Sequence, residues 1–170
     1  MTIEQVNNQI RRCSLCPNDK GMKELGWGAL TGIMFIGQSS ASTDKTGLQE
    51  TSNFNQYFLE LLKPIGISQS EFYFTNLIKI PISNMKKVPK TVIHHCADHL
   101  IDEYLAVNPK IVITLGRYAK KFTKIENIEN MTHLRSIRYG HITEEQWREY
   151  LKKILKGRDL LTRNQIYGRR

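Results

Sequence analysis

Three cysteines and the histidines near one of them are the residues of this sequence best suited to holding a metal. Cys13 and Cys16 form a C-x-x-C near the N-terminus, and Cys96 follows about eighty residues later. The histidines close to Cys96 are His94, His95 and His99. A C-x-x-C with distant soft ligands is typical of a zinc or iron–sulfur site that closes a long loop. The alternative is a surface C-x-x-C and one unrelated buried cysteine, because C-x-x-C alone is a weak pattern.

A disulfide framework is less favoured. The number of cysteines is odd, and the first residues, MTIEQVNNQIRR, are polar and contain no apolar targeting segment. No apolar run approaches the ~20 residues that span a bilayer. We therefore expect an intracellular, cytoplasmic protein that is monomeric and does not enter a membrane.

The charge balance favours a polyanionic partner. The 170 residues include 25 Lys and Arg against 16 Asp and Glu, which gives a net charge of +9 and a pI near 9.5. A basic surface releases counterions from phosphates and so gives salt-sensitive affinity for nucleic acid without reading its sequence. Many solvated surfaces also carry excess lysine, so charge alone favours DNA only modestly.

Polar residues follow three short apolar runs that read as buried strands. Gly37, Gln38 and Ser39 follow the run 32–37, Asn76 lies near the end of 72–78, and Arg117 follows 110–116. Helices are predicted over 2–12, from Asn53 through Leu62, over 91–107, from Arg117 onward and over 144–156. Strands that alternate with helices indicate an α/β fold with a parallel sheet covered on both faces. The polar residues would then lie together beyond the carboxyl ends of the strands.

Several motifs occur in the order of a known family. They are CSLC at 13–16, FIGQ at 35–38, LLKPIGI at 61–67, FYFTNLIK at 72–79 and NPKIVITLGR at 108–117. With these segments the chain resembles the uracil-DNA glycosylase superfamily, and in particular its iron–sulfur family 4. The resemblance implies a three-layer α/β/α sandwich with a central four-stranded parallel sheet. It also implies one domain over 1–156, with a basic tail over 157–170, and the short segment before His133 indicates a trimmed last strand.

The resemblance implies a [4Fe–4S] cluster whose ligands here are Cys13, Cys16 and Cys96. Family members place a fourth cysteine where this chain has Ile80. A cluster with an open or non-cysteine fourth position is therefore expected, with His99 as the substitute ligand and His95 as another. Zinc held by three thiolates and a histidine is the alternative, and a solvated histidine is the ordinary role of such a residue.

The resemblance also assigns candidate residues around the base. An enzyme that removes uracil must flip the nucleotide into a pocket and read its pairing edge. A carboxamide such as that of Asn76 offers both a donor and an acceptor to a pyrimidine, although an asparagine at a strand end also caps turns. The loop of Gly37, Gln38 and Ser39 corresponds to the first family motif but lacks its proline and second glycine. Gln38 would position water or the base and would not act as a general base.

Asp44 and Phe54 are two further candidates, the first for chemistry and the second for stacking. Asp44 lies where the family carries acidic residues and would activate water, although a loop aspartate is more often a turn former. Phe54 would stack on a flipped base, but it equally suits the core face of its helix.

The second family motif contains a histidine that stabilises negative charge on the leaving base. Alignment from Arg138 places Thr132 at that position, and a one-residue deletion would place His133 there. Arg117, Arg135 and Arg138 suit contacts with DNA phosphates.

These observations lead to two main hypotheses. The chain is a glycosylase that excises uracil or a related modified pyrimidine, or it is a non-catalytic DNA-binding or partner-binding member of the same fold. A redox role for the cluster has no supporting cofactor motif.

Overall fold

The fold is built around one twisted sheet of five strands. In a computed structural model of the chain, the described residues are 1–16, 23–30, 32–40, 53–82, 84–157 and 160. The strands are β1 (Trp27–Gly28), β2 (Ile33–Gly37), β3 (Phe72–Asn76), β4 (Ile111–Leu115) and β5 (Glu129–Met131). Their spatial order is β1-β3-β2-β4-β5. The four strands β2 to β5 are parallel, as predicted, and β1 adds a short antiparallel edge.

Helices cover both faces of this sheet. They are α1 (Ile3–Arg12), α2 (Asn53–Leu62), α3 (Lys90–Val107), α4 (Arg117–Phe122), α5 (Arg135–Arg138) and α6 (Glu144–Lys156). The predicted three-layer α/β/α sandwich is therefore confirmed, and the last strand, β5, is present but only three residues long. Among the described residues, no helix is both long and apolar enough to cross a bilayer.

The core consists of two apolar clusters, one on each face of the sheet. Successive side chains of a strand point to opposite faces, so Phe35 and Phe74 belong to one cluster while Met34 and Tyr73 belong to the other. The first cluster packs against α2 and α6, and the second packs against α3 and α4. Both faces of the central strands are therefore dry, which explains why the strands read as continuous apolar runs rather than alternating ones.

A buried ion pair fixes the segment that follows β3. Lys79 Nζ donates to the Glu103 carboxylate of α3, and both side chains are almost completely inaccessible. The hydroxyls of Tyr73 and Thr75 donate to the same carboxylate at 3.2 and 3.0 Å. Because the charges are paired and hydrogen-bonded, their burial is tolerated. This network holds the end of β3, where Asn76 lies, against α3.

Candidate active site and metal centre

Asn76 and Gly37 lie side by side at the carboxyl ends of β3 and β2. They are paired in the parallel register of the two strands. Asn76 is only 6% exposed, and its Oδ1 lies so close to Gly37 that a Cβ at position 37 would overlap it. A glycine is therefore required here by the close approach of the amide rather than by the backbone angle. The structure thus brings these two predicted site residues together.

Glu24 is a buried carboxylate in this site that the sequence analysis did not identify. It is 4% exposed, and its Oε2 accepts a hydrogen bond from Asn76 Nδ2 at 2.9 Å. The backbone N–H of Ser40 donates to the same carboxylate at 2.9 and 3.0 Å, and the Ser40 hydroxyl donates to it as well. One carboxylate therefore joins the loop after β2 to the asparagine at the end of β3.

Burial dominates the electrostatics of Glu24. Desolvation raises the pKa of its carboxyl group from 4.5 to about 7. The hydrogen bonds from Ser40 and Asn76 and the positive charge of Lys79 act in the opposite direction and offset part of this effect. The carboxyl group of Glu24 therefore changes its charge near neutral pH.

The loop that follows β2 is held by backbone hydrogen bonds to the segment after β3. Leu77 N–H donates to Gly37 O at 2.9 Å, and Ile78 N–H donates to Gln38 O at 3.0 Å. Gln38 and Ser39 are partly buried. The loop is thus fixed beside Asn76, and it carries an amide at position 38 rather than a titratable group.

His133 lies at the same edge of the sheet, between β5 and α5. Its Cβ would be 3.0 Å from a Cβ at Gly116, the residue that follows β4. Its Nδ1 accepts a hydrogen bond from the backbone N–H of Arg135 at 3.0 Å. Desolvation, followed by the charge of Arg135, lowers the pKa of His133 to about 4. The imidazole is therefore neutral at physiological pH, and with Nδ1 acting as acceptor its proton lies on Nε2.

Phe54 connects the two halves of the site. Its ring centroid lies 6.0 Å from that of Phe74 on β3 and 6.4 Å from that of His133. Phe54 is 38% exposed and lies outside the apolar core, so its alternative assignment to the core is wrong. An accessible aromatic ring beside a histidine provides a surface on which a planar base could stack.

The three arginines predicted to contact DNA are all exposed. Arg117 is the first residue of α4, directly after β4, and Arg135 and Arg138 lie on α5, directly after His133. All three arginines therefore lie on short helices that begin just after the carboxyl ends of strands β4 and β5. Asp44, by contrast, lies outside the described residues.

The predicted metal ligands gather between the end of α1 and the first half of α3. Cys13 Sγ and one ring nitrogen each of His95 and His99 lie within 4.8 Å of one another. His99 Nε2 is inaccessible to solvent and has no hydrogen-bond partner among the described residues. A histidine that has a buried, unpartnered ring nitrogen and lies beside a thiol and a second imidazole is suited to binding a metal.

The other two predicted thiol ligands, Cys16 and Cys96, lie outside this three-residue group. Cys16 and Cys96 are both buried and lie within hydrogen-bonding reach of each other, in the same apolar cluster as Ile80. Burial, followed by the neighbouring thiols, raises the pKa of Cys16 to about 11, and burial also raises the pKa of Cys96. Metal binding would displace the protons from these thiols. The donor set of three thiols and two imidazoles fits either an iron–sulfur cluster or zinc.

The comparisons with known proteins agree with this architecture. Residues 23–162 match the family described as the Uracil DNA glycosylase superfamily. The match covers most of the chain, including all five strands. This chain therefore belongs to the uracil-DNA glycosylase superfamily.

The individual relatives share only modest sequence identity with this chain. The chain is 26% identical over 125 residues to the Type-4 uracil-DNA glycosylase of Pyrobaculum aerophilum, which covers 71% of this chain and 64% of that protein. It is 28% identical over 125 residues to the protein of the same name from Thermotoga maritima, covering 71% and 65% respectively. With the Saccharolobus solfataricus protein, also named Type-4 uracil-DNA glycosylase, it shares 25% identity over 158 residues. The chain thus spans less than two thirds of the length of the first two relatives.

Proposed function

We propose that this protein is a DNA glycosylase that excises uracil, or a closely related modified pyrimidine, by base flipping and hydrolysis of the N-glycosidic bond. The observation that carries this proposal is the pair of polar groups at the carboxyl edge of the sheet. One is the buried amide of Asn76, and the other is the neutral imidazole of His133. Phe54 lies between the strand that carries Asn76 and the imidazole.

Asn76 would read the base. One N–H of its amide is donated to Glu24, so the second N–H and the carbonyl oxygen remain available. A donor and an acceptor held side by side complement the N3–H and O4 of uracil. Phe54 would stack on the face of the flipped base, and the loop of Gly37, Gln38 and Ser39 would border it.

His133 would stabilise the leaving base. Cleavage of the glycosidic bond leaves negative charge on the pyrimidine ring, and a positioned hydrogen-bond donor stabilises that charge. Because Nδ1 accepts from the Arg135 N–H, the imidazole can donate from Nε2 while it remains neutral. The fold thus supplies the donor without the need to protonate the ring.

DNA would be held mainly by charge. The net charge of +9 and the exposed guanidinium groups of Arg117, Arg135 and Arg138 favour phosphate contacts beside the site. Affinity would then fall steeply as salt concentration rises.

An iron–sulfur cluster would be held by Cys13, Cys16 and Cys96, with His99 in place of the fourth cysteine and His95 beside it. Zinc is the alternative occupant of the same donors. Either group would tie α1 to α3 and so replace part of the core that a small domain lacks. A broad visible absorbance near about 400 nm from thiolate-to-iron charge transfer, together with elemental analysis, distinguishes the two.

Position 38 favours a second candidate function. Gln38 does not titrate, so the loop that borders the base carries no general base among its described residues. In a non-catalytic member of the family, the site would still bind DNA but would not hydrolyse the bond.

One experiment separates the two functions. Single-stranded and duplex oligonucleotides with one uracil are incubated with the protein, and abasic sites are then cleaved with alkali. The glycosylase proposal predicts strand scission that is abolished by Asn76→Ala and strongly reduced by His133→Gln. The matched control is Asn8→Ala, which removes an exposed asparagine on α1 and should leave scission unchanged. Tight, salt-sensitive binding without scission would support the non-catalytic function.

A further inference from the structure

We propose that Glu24 is a positioning residue that fixes the amide of Asn76 in the one orientation that accepts uracil and rejects cytosine. This inference rests on the proposed function of the site and assigns a role to a residue outside the recognised motifs. It is carried by the hydrogen bond of 2.9 Å between Asn76 Nδ2 and Glu24 Oε2.

The bond determines which end of the amide faces the carboxylate. An ionised carboxylate only accepts hydrogen bonds, so it pairs with the NH2 group of an amide and repels the carbonyl oxygen. Both side chains are buried, at 4% exposure for Glu24 and 6% for Asn76, so water cannot replace the lost partner. A flipped amide would leave two oxygens facing each other in a dry environment, which is strongly unfavourable.

The carboxylate is itself immobilised. The backbone N–H and the hydroxyl of Ser40 both donate to it, and the backbone N–H of Glu24 donates to Lys79 O at 2.8 Å. On the other side, the amide oxygen of Asn76 lies against Gly37. Glu24 therefore cannot swing away to tolerate the flipped amide, and the orientation of Asn76 is set by the loop as well as by the strand.

Orientation decides which pyrimidine fits. Uracil presents a donor at N3 and an acceptor at position 4, whereas cytosine presents an acceptor at N3 and a donor at position 4. A carboxamide that is free to rotate by half a turn complements both patterns equally well. An amide held in one orientation complements one pattern and places like groups opposite the other, and a site built in this way discriminates strongly. Because cytosine is a normal base of DNA and uracil is not, an excising enzyme needs this discrimination.

The test measures base preference rather than activity alone. Binding to oligonucleotides with a single 2′-fluoro-2′-deoxyuridine or 2′-fluoro-2′-deoxycytidine, which resist cleavage, is compared at about pH 8.5, because the Glu24 carboxyl group, with its pKa near 7, is ionised there. Glu24→Gln has nearly the same shape but can present either an oxygen or an NH2 group to Asn76. We expect the variant to reduce the ratio of the dissociation constant for the cytosine analogue to that for the uracil analogue by about a hundredfold. An unchanged ratio in folded Glu24→Gln would overturn the inference.

Two further variants complete the design. Glu103→Gln is the matched control, since it neutralises a second buried glutamate, which lies on α3 and accepts a hydrogen bond from Thr75 rather than from Asn76. It should lower stability and leave the ratio unchanged. If Glu24→Gln does not fold, Glu24→Asp is used instead. Its carboxylate is one methylene too short to make the 2.9 Å hydrogen bond to Asn76, so we expect this variant also to lose the uracil preference. An unchanged preference in folded Glu24→Asp would contradict the role of Glu24.

The outcome for the wild-type protein separates this inference from the proposed function. If the wild-type protein neither excises uracil nor prefers the uracil analogue, the proposed function is wrong. If the wild-type protein shows the preference and Glu24→Gln shows it equally, only the role of Glu24 is wrong.

Discussion

Replacing Glu24 with glutamine should change how the stability of the protein depends on pH. In the folded protein, burial raises the pKa of this carboxyl group from 4.5 to about 7. Between these values the folded protein retains a proton that the unfolded chain has released. The wild-type protein should therefore lose stability, relative to Glu24→Gln, as the pH rises through this interval, and the loss should level off above about pH 7.

The magnitude follows from the size of the pKa shift. A shift from 4.5 to about 7, at about 1.4 kcal/mol per pH unit, gives a total of about 3 kcal/mol. The side chain is almost completely buried, so solvent screening reduces this value little. The hydrogen bonds from Ser40 and Asn76 need no separate correction. Both lower the pKa, and the value of about 7 already reflects their effect against the larger effect of burial.

The assay is urea unfolding of both proteins at several pH values from about 4 to 8.5, with circular dichroism as the probe of unfolding. The free energy of unfolding of Glu24→Gln minus that of the wild-type protein should increase by about 3 kcal/mol across the range. All other titrating groups are common to both proteins and cancel in the difference. A difference that does not vary with pH, or that decreases as the pH rises, would refute the buried environment described for Glu24.

Three more predictions concern the rest of the site. Gly37→Ala should reduce kcat/KM for uracil excision by about a hundredfold, because the new Cβ displaces the Asn76 amide, whereas Gly157→Ala, which meets only ordinary contacts, should not. Steady-state kinetics of the two variants measure this, and equal activity would contradict the close approach. His133 should contribute no inflection to the pH profile of kcat/KM, which reports the free protein, above about pH 5, because its pKa is about 4 there; an inflection near its ordinary pKa of 6.5 that disappears in His133→Gln would contradict the desolvation of the imidazole. Cys96→Ser should lose bound iron or zinc and lower the melting temperature, as measured by elemental analysis and calorimetry, and full metal content in that variant would contradict the proposed ligand set.

The longer helices could be predicted from the sequence because their apolar residues recur at a regular spacing. Helix α6 begins and ends where predicted, and α3 begins at Lys90, one residue before the predicted start. Strand β1 was missed, since two residues are too few to show a period. It forms because Trp27 packs against Phe72 and Phe74, which depends on tertiary structure.

The site could be predicted only where a motif marked it. Asn76 and Gly37 lie in such segments and are adjacent in the structure. Glu24 lies in an irregular segment, where a single glutamate has the appearance of a solvated residue, and only the packing of the strands shows that it is buried. Phe54 was ambiguous for a similar reason, because its helical position suits both the core and the edge of the site. His95 joins Cys13 and His99 through the fold, which residue spacing on α3 alone did not determine.

The most direct test of the account is a crystal structure of the protein with DNA that contains 2′-fluoro-2′-deoxyuridine. The account predicts an extruded uracil whose N3–H and O4 contact the Asn76 amide, with Phe54 on its face and His133 Nε2 near O2. A uracil that remains stacked in the DNA, or that binds away from Asn76, would contradict it.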